Sequence, residues 1–221
     1  MQVLDLAEAR RLCSAAAEDT ENGVLPILAV TTGMRQGELL ALRWRDVDLE
    51  RGTLAVTGTL QRVPNKGLTR DEPKTLRSRR QVRLPPTAVT ALRRQQAAQA
   101  AARLVAGDRW NDGDWVFASP FGAPLNAWAV RRHFAALLKQ AELPPIRFHD
   151  LRHTAATLLL GQGVHPKVVA DLLGHTTVAM TLDRYSHVAV AMHQQAADAL
   201  EAALGDPVPS RVGSVVGSPT G

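Results

Sequence analysis

A change of periodicity near residue 53, reversed near residue 85, constrains the fold of this 221-residue chain more than any other feature. Between these points the segments "GTLAVTGTLQRV" and "RRQVRLP" are rich in Val, Thr and Leu and are bounded by Gly and Pro, which is typical of strands. "EPKTLRS" lies between them and predicts a short strand and turn. The pattern therefore predicts a small antiparallel sheet around residues 53–84.

Helical patterns surround this block. Asp5 and Glu8 have the spacing of a capping box, which predicts a helix from Asp5 to about Glu18. "GVLPILAVTTG" predicts a buried helix ended by Gly33, and "QGELLALRWRDV" predicts a third. "WVFASPFGAPLN" reads as a short extended element. Further helices are predicted at 86–106, 126–141, 150–161, 166–173, 177–185 and 188–204.

The composition agrees with a mainly helical α+β fold. Only 4% of the residues are aromatic, so Ala, Leu and Val carry most of the apolar content and favour closely packed helices. No convincing boundary interrupts residues 1–204, which predicts one domain. Residues 205–221 are rich in Gly, Pro, Ser and Val and predict a disordered tail.

Charge and cysteine content narrow the setting. The formal net charge of +5 favours an acidic partner, of which nucleic acid is the commonest for such a chain. The single cysteine, Cys13, cannot form an internal disulfide, which makes a reducing cytoplasm the expected compartment. Neither a signal peptide nor an apolar run long enough to span a membrane is present, so no membrane partner is expected.

Two motifs place cations at predicted helix starts. In "FHDLRHTAATLLL", His149 and Arg152 are three residues apart and share a helix face, as an anion site requires; the alternative is a capped helix with solvated side chains. In "TTGMRQGELLALRW", Arg35 lies between two glycines, and Glu38 can pair with an arginine and fix its direction. The alternative there is an ordinary surface arginine in a turn.

A third motif, "EPKTLRSRRQVRLP", concentrates positive charge in the predicted hairpin. Lys74 is followed by four arginines without an intervening carboxylate, a density that favours contact with the phosphate backbone of DNA. The alternative is an edge strand whose charges prevent aggregation. The predicted DNA-contact residues are Arg77, Arg79, Arg80 and Arg83.

The fourth motif, "LLGHTTVAMTLDRYSHV", contains the only tyrosine of the chain, Tyr185. Gly174 predicts the end of a helix, which leaves His175 in an exposed turn. Tyr185 follows a second short helix. A tyrosine has an ordinary pKa near 10, so it would act as a nucleophile only beside cationic or hydrogen-bonding groups; the alternative is a packing residue.

Taken in order, the motifs "GMRQGELLAL", "PKT", "HDLRHTAAT", "LLGH" and "RYSH" resemble the catalytic domain of the tyrosine recombinases, the phage integrase family. The resemblance spans roughly residues 4–190, nearly all of the chain before the tail. It implies a catalytic set of six residues, and this sequence has the residue type of the family at all six positions. That set is Arg35, Lys74, His149, Arg152, His175 and Tyr185.

The resemblance implies cleavage and rejoining of double-stranded DNA through a 3′-phosphotyrosyl bond, without metal, nucleotide or other cofactor. Tyr185 would attack phosphorus, Lys74 would protonate the leaving oxygen, and His149 would take the tyrosine proton. Arg35, Arg152 and His175 would hold the phosphate. Two alternatives stay open: a DNA-binding module without catalysis, and a type IB topoisomerase-like enzyme that nicks and reseals DNA.

The resemblance also bears on the ends of the chain. Family members usually carry an N-terminal DNA-binding domain, for which this chain leaves no room, so we expect a fragment in preference to a naturally minimal protein. Residues 188–204 carry a narrow apolar stripe at helical spacing. We expect this stripe to pack either on a neighbouring protomer of a DNA-bound assembly or on its own domain.

Overall fold

The computed structural model describes residues 2–72, 79–175, 177–184 and 198–204. The predicted turn at 73–78 and tail at 205–221 lie outside these ranges, as does most of the predicted helix 188–204, of which 198–204 are helical. Within the described residues no helix is long and apolar enough to cross a membrane.

Two helices form the N-terminal part. Helix α1 (Leu6–Glu18) begins with the predicted capping box, in which the Asp5 carboxylate accepts from the Glu8 N–H at 2.8 Å and the Glu8 carboxylate accepts from the Asp5 N–H at 2.9 Å. Helix α2 (Val24–Thr32) is buried over most of its surface, as its apolar sequence requires. It ends at Gly33, which adopts the left-handed conformation as predicted.

Helix α3 (Gln36–Leu40) is shorter than predicted, since a 3-10 turn at Trp44–Asp46 replaces its expected continuation. The buried residues Leu39, Leu40, Ala41 and Leu42 nevertheless follow one another without interruption. This segment therefore stays buried although the helix ends after five residues.

Within the described part of the chain the strands form two sheets instead of the predicted one. Strands β1 (Val47–Asp48), β2 (Thr53–Val56) and β5 (Arg80–Arg83) form an antiparallel sheet in the order β1-β2-β5, with Leu54 opposite Val82. Strands β3 (Thr59–Val63) and β4 (Gly67–Asp71) form a separate hairpin. The predicted strand "GTLAVTGTLQRV" is broken at residues 57–58, and the polar β4 lacks the apolar alternation that would have indicated it.

The remaining helices are close to their predicted bounds. They are α4 (Pro86–Ala106), α5 (Ala127–Gln140), α6 (Asp150–Gly161), α7 (Pro166–Leu173) and α8 (Val178–Arg184). A main apolar core extends from Leu4 to Leu151 and joins α1–α6 to the β1-β2-β5 sheet. A smaller cluster of Ala156, Leu160, Val169 and Leu173 packs α7 against α6.

Candidate active site

The N-terminus of α6 presents His149 and Arg152 from its first turn. Asp150 lies between them and accepts two hydrogen bonds from the Arg147 guanidinium, at 3.0 and 2.9 Å, which anchor the helix start. These hydrogen bonds lower the pKa of the Asp150 carboxyl below its usual value, although burial opposes them. The start of α6 is thus held by an ion pair that involves neither of the two candidate residues.

Arg152 is directed by the end of another helix. Its side chain is buried, and its Nη1 donates a 2.7 Å hydrogen bond to the carbonyl of Gly33, the residue that ends α2. Gly33 has a φ of 62°, and a Cβ there would lie 2.5 Å from Cδ2 of Leu173. Only glycine therefore allows the ends of α2 and α7 to meet at this point.

Arg35 lies two residues beyond Gly33, at the N-cap of α3. Its Nη1 donates to Oε1 of Glu38 at 2.9 Å, and its backbone N–H donates to Oε2 of the same carboxylate, also at 2.9 Å. The Arg35 side chain remains 44% exposed, whereas that of Glu38 is 7% exposed. The expectation that Glu38 pairs with an arginine and directs it is confirmed.

Glu38 also binds a second arginine, which sequence reasoning missed. The two terminal nitrogens of Arg80 donate to its carboxylate at 3.2 and 3.0 Å. Burial alone would raise the pKa of Glu38, but the hydrogen bonds and charge of Arg80, with smaller contributions from Arg35, lower it. A buried carboxylate with four N–H donors stays ionised and rigid.

The site also changes the pKa of His149. Burial, followed by the charge of Arg152 and smaller effects from Arg147 and Arg35, lowers its pKa below the ordinary value, while Asp150 acts in the opposite direction. Its ring packs edge-on against that of His153, with centroids 5.2 Å apart. A lowered pKa keeps the imidazole neutral and able to accept a proton at neutral pH.

His175 follows the left-handed Gly174 that ends α7. Its Nδ1 lies 2.8 Å from Oγ1 of Thr181, a fully buried residue of α8 that was not expected at the site. The backbone N–H of His175 donates to the Ala170 carbonyl at 2.9 Å. An open pocket of about 330 Å³ adjoins His175 and is also lined by Arg80, Gly174 and Thr177.

The structure therefore brings Arg35, His149 and Arg152 to one site, because α2, α3 and α6 meet at their ends. His175 is linked to them through Arg80, whose Nε donates to the carbonyl of Leu172 at 2.8 Å. Two members of the predicted set, Lys74 and Tyr185, lie outside the described residues.

The predicted DNA-contact arginines do not form one group. Arg79 and Arg83 are exposed, and Arg79 pairs with Glu72 at 2.6 Å. Arg77 lies outside the described residues. Arg80 departs from the prediction of a phosphate contact, since its side chain is 8% exposed and its guanidinium is occupied by Glu38 and the Leu172 carbonyl. The signal that could have separated Arg80 from its neighbours is the two-residue alternation of a strand, which places Arg80 on the face of the buried Val82 and Leu84.

The fold and the site together define an α+β domain in which arginines and histidines at the ends of several helices lie at one site. The sequence profile of the phage integrase family matches residues 2–192. The chain belongs to this family, which confirms the resemblance recognised in its motifs.

Relatives of known name agree with this assignment. An integrase of Saccharopolyspora erythraea is 30% identical in an alignment that covers 87% of this chain and 56% of the relative. A tyrosine recombinase XerC-like protein of Caldanaerobacter subterraneus subsp. tengcongensis is 35% identical in an alignment that covers 73% of this chain and 44% of the relative. The chain thus spans about half the length of these relatives.

Solved structures confirm the predicted fold class. The XerA recombinase is 28% identical with a TM-score of 0.69, over 88% of this chain and 65% of that one. The Tn1549 transposon integrase in complex with transposon right end DNA is 25% identical with a TM-score of 0.75, over 90% of this chain and 66% of that one.

Proposed function

We propose that this chain is the catalytic domain of a site-specific DNA recombinase that cleaves and rejoins strands through a 3′-phosphotyrosyl intermediate. The observation that carries the proposal is the convergence of Arg35, His149 and Arg152 at the meeting point of α2, α3 and α6. Family membership and the names of the relatives, among them a tyrosine recombinase and a transposon integrase solved with DNA, support it.

The two arginines hold the scissile phosphate. A phosphodiester is anionic and repels a nucleophile, so its non-bridging oxygens need donors that are fixed before the reaction begins. A guanidinium is planar and always charged, which suits it to this task. Glu38 fixes the direction of Arg35, and the Gly33 carbonyl fixes that of Arg152.

Tyr185 is the nucleophile and His149 takes its proton. The lowered pKa of His149 supports this role, since the neutral imidazole accepts a proton at neutral pH. Tyr185 follows directly after α8, which ends at Arg184. The end of α8 at Arg184 lies about 4.5 Å beyond Thr181 along the helix axis. Thr181 is hydrogen-bonded to His175.

Lys74 protonates the leaving oxygen, and His175 donates to the phosphate. The connection that carries Lys74 follows β4 and ends at β5, whose first residue, Arg80, is held on the same carboxylate as Arg35. This connectivity supports a position of Lys74 near the site. The flexible ammonium of lysine is suited to deliver a proton to a departing alkoxide.

The reaction balances without a cofactor. The bond from Tyr185 Oη to phosphorus forms as the bond from phosphorus to the 5′-oxygen breaks. One proton leaves the tyrosine for His149, and one passes from Lys74 to the leaving 5′-oxygen, which becomes the 5′-hydroxyl. The phosphotyrosyl bond keeps the energy of the phosphodiester, and the reverse attack by a 5′-hydroxyl rejoins the strand.

The decisive experiment is covalent trapping. The wild-type protein, incubated with the genomic DNA that flanks its gene, should yield protein–DNA adducts that survive denaturation, and sequencing of the linked ends identifies the site. Tyr185→Phe should abolish the adduct while leaving folding and non-covalent binding nearly unchanged, because only one hydroxyl is lost. An adduct that persists in Tyr185→Phe refutes the assignment of the nucleophile.

The same assay separates the alternatives. Binding without any adduct in the wild type would identify a DNA-binding module without catalysis. Relaxation of any supercoiled plasmid by a monomer would identify a topoisomerase-like enzyme. Junctions formed by several protomers at one defined sequence are the result expected for a recombinase, which acts in the cytoplasm, where its DNA is found.

Assembly on DNA uses the C-terminal helix. Leu200 and Leu204, within the described helical residues 198–204, are 63% and 82% exposed. This exposure supports docking of the segment 188–204 on a neighbouring protomer. A chain that ends at His187 should bind one site normally and lose cooperative binding to two adjacent sites. Equal loss of both, with a large drop in thermal stability, would show that the segment belongs to its own domain.

A further inference from the structure

Arg80 is the first residue of β5, and three of the five N–H donors of its guanidinium bind protein groups on two sides. Nη1 and Nη2 donate to Oε1 and Oε2 of Glu38 at 3.2 and 3.0 Å, while Nε donates to the carbonyl of Leu172 at 2.8 Å. The side chain is 8% exposed. A planar fork can make this three-bond arrangement, and a lysine ammonium cannot.

Glu38 transmits this anchoring to Arg35. The same carboxylate that Arg80 grips accepts the backbone N–H and Nη1 of Arg35. The half-exposed Arg35 side chain would otherwise sample several rotamers, at a cost in entropy whenever it is fixed. Glu38 can direct Arg35 only as long as the carboxylate itself is held, and among the described residues Arg80 holds it with two bonds.

The third bond of Arg80 reaches the end of α7. Leu172 lies in the last turn of this helix, where the unpaired carbonyls form the negative end of the helix dipole. A Cβ on Gly174 would lie 3.1 Å from Nη1 of Arg80, so the absence of a side chain lets the guanidinium pack against the helix end. His175 is the next residue along the chain.

We infer that Arg80 is a positioning residue of the recombination site and not a contact to DNA. Through Glu38 it fixes the direction of Arg35, and through the Leu172 carbonyl it fixes the segment that leads to His175. This inference rests on the proposed function, which assigns Arg35 and His175 to the scissile phosphate.

A split between rate and affinity tests the inference. With DNA that carries the site found by adduct sequencing, Arg80→Lys should lower the rate of adduct formation at saturating protein by about 100-fold, the scale of one missing transition-state donor. The Kd for DNA should change by less than about threefold, and its salt dependence should stay the same. Unchanged rate with weakened, less salt-dependent binding would make Arg80 a phosphate contact and overturn the inference.

A double-mutant cycle tests the route through Arg35. In an Arg35→Lys background, Arg80→Lys should cost less than about tenfold further in rate, because Arg35, one of the two groups that it positions, is already replaced. An undiminished 100-fold reduction in that background contradicts the route.

Arg70 offers a matched control for the removal of a structural arginine. It is 17% exposed, its Nε donates to the Ala41 carbonyl at 3.3 Å, and its Nη2 donates to Thr57 at 2.6 Å. Arg70→Lys should lower the Tm about as much as Arg80→Lys without slowing adduct formation from bound DNA. Equal slowing by both variants would attribute the effect to general stability and remove the inference.

A second readout is independent of catalysis. The ¹H–¹⁵N signal of the Arg35 Nε–H, assigned by its absence in Arg35→Lys, should show the heteronuclear NOE of an ordered group in the wild type and in Arg70→Lys. In Arg80→Lys that NOE should fall to the value of a mobile side chain. If the wild type forms no adduct, the proposed function fails while this measurement still decides the inference; an ordered Arg35 in Arg80→Lys overturns it.

Discussion

Two groups of arginines in this protein differ in what surrounds them. At the helix junction, formed by the ends of α2, α3 and α6, Arg35 and Arg152 each have a fixed acceptor, Glu38 and the Gly33 carbonyl. At the two ends of β5, Arg79, which precedes the strand, and Arg83, its last residue, are exposed, and both members of the Arg79–Glu72 pair are open to solvent. An exposed pair of this kind contributes at most about 1 kcal/mol.

The two groups of arginines illustrate two ways in which a positively charged side chain can interact with a DNA phosphate. A directed guanidinium can stabilise charge that develops at one atom of the transition state. An undirected surface cation attracts the backbone of any DNA and is screened by salt. The helix junction should therefore govern the rate of cleavage, and the exposed Arg79 and Arg83 should govern the affinity for DNA.

The largest effect is expected at the helix junction, from Arg152→Lys. An ammonium cannot reproduce the planar donor geometry, so the rate of adduct formation should fall by about 10²–10³-fold with little change in Kd. Single-turnover trapping measures the rate. Arg131→Lys, a change in an exposed arginine of α5, is the control and should cost less than about threefold. Comparable reductions in both variants would break the comparison.

The next effect concerns the close approach at Gly33. Gly33→Ala imposes a left-handed conformation on a residue with a Cβ and a contact with Leu173, so the free energy of unfolding should fall by at least about 1–2 kcal/mol. Gly161→Ala, where no atom lies within 4 Å of the added Cβ, is the control and should be neutral or stabilising. Urea denaturation measures both, and equal midpoints would show that Gly33 is not required.

A smaller, sequence-independent effect is expected on β5. Replacing both Arg79 and Arg83 by Ala should weaken binding to target and unrelated DNA by the same factor. The slope of log K against log salt should decrease in magnitude by about 0.9 for each DNA phosphate that the variant no longer neutralises. Affinity reduced for the target sequence alone would indicate that these arginines read bases.

The pH dependence of stability should reveal the environment of His149. Its pKa is lowered in the folded state by burial and by Arg152, so the unfolded chain binds a proton at a higher pH than the folded chain does. Stability from this group is therefore complete above the ordinary pKa near 6.5 and is lost as the pH falls from that value through the lower pKa of the folded state. His149→Gln should flatten the loss between pH 7 and 5, and a variant curve identical to that of the wild type would contradict this environment.

The smallest expected effect is that of chelation. Because Arg35, Arg152 and Lys74 supply the positive charge in the proposed mechanism, adduct formation should continue unchanged in excess EDTA. Activity that disappears with EDTA and returns with magnesium would contradict the mechanism.

The sequence by itself determined the helical framework and the identity of the candidate residues. The capping box at Asp5, the end of α2 at Gly33 and the bounds of α4 and α6 depend on local chemistry, which a sequence displays directly. The motifs around Arg35 and Arg152 likewise identified these candidate residues without any information on how their helices pack.

Only the tertiary structure determined how the strands divide into two sheets and which arginines of the basic run are exposed. The break at residues 57–58 and the pairing of the polar β4 with β3 depend on partners distant from the local pattern. Arg80 shares its basic run with Arg79 and Arg83, yet it is 42 residues from the carboxylate that binds it and 92 from its carbonyl acceptor. Burial and hydrogen bonding between residues so far apart in the chain arise only when the chain packs. The sequence could therefore give the number of charged residues, but not the partner and role of each.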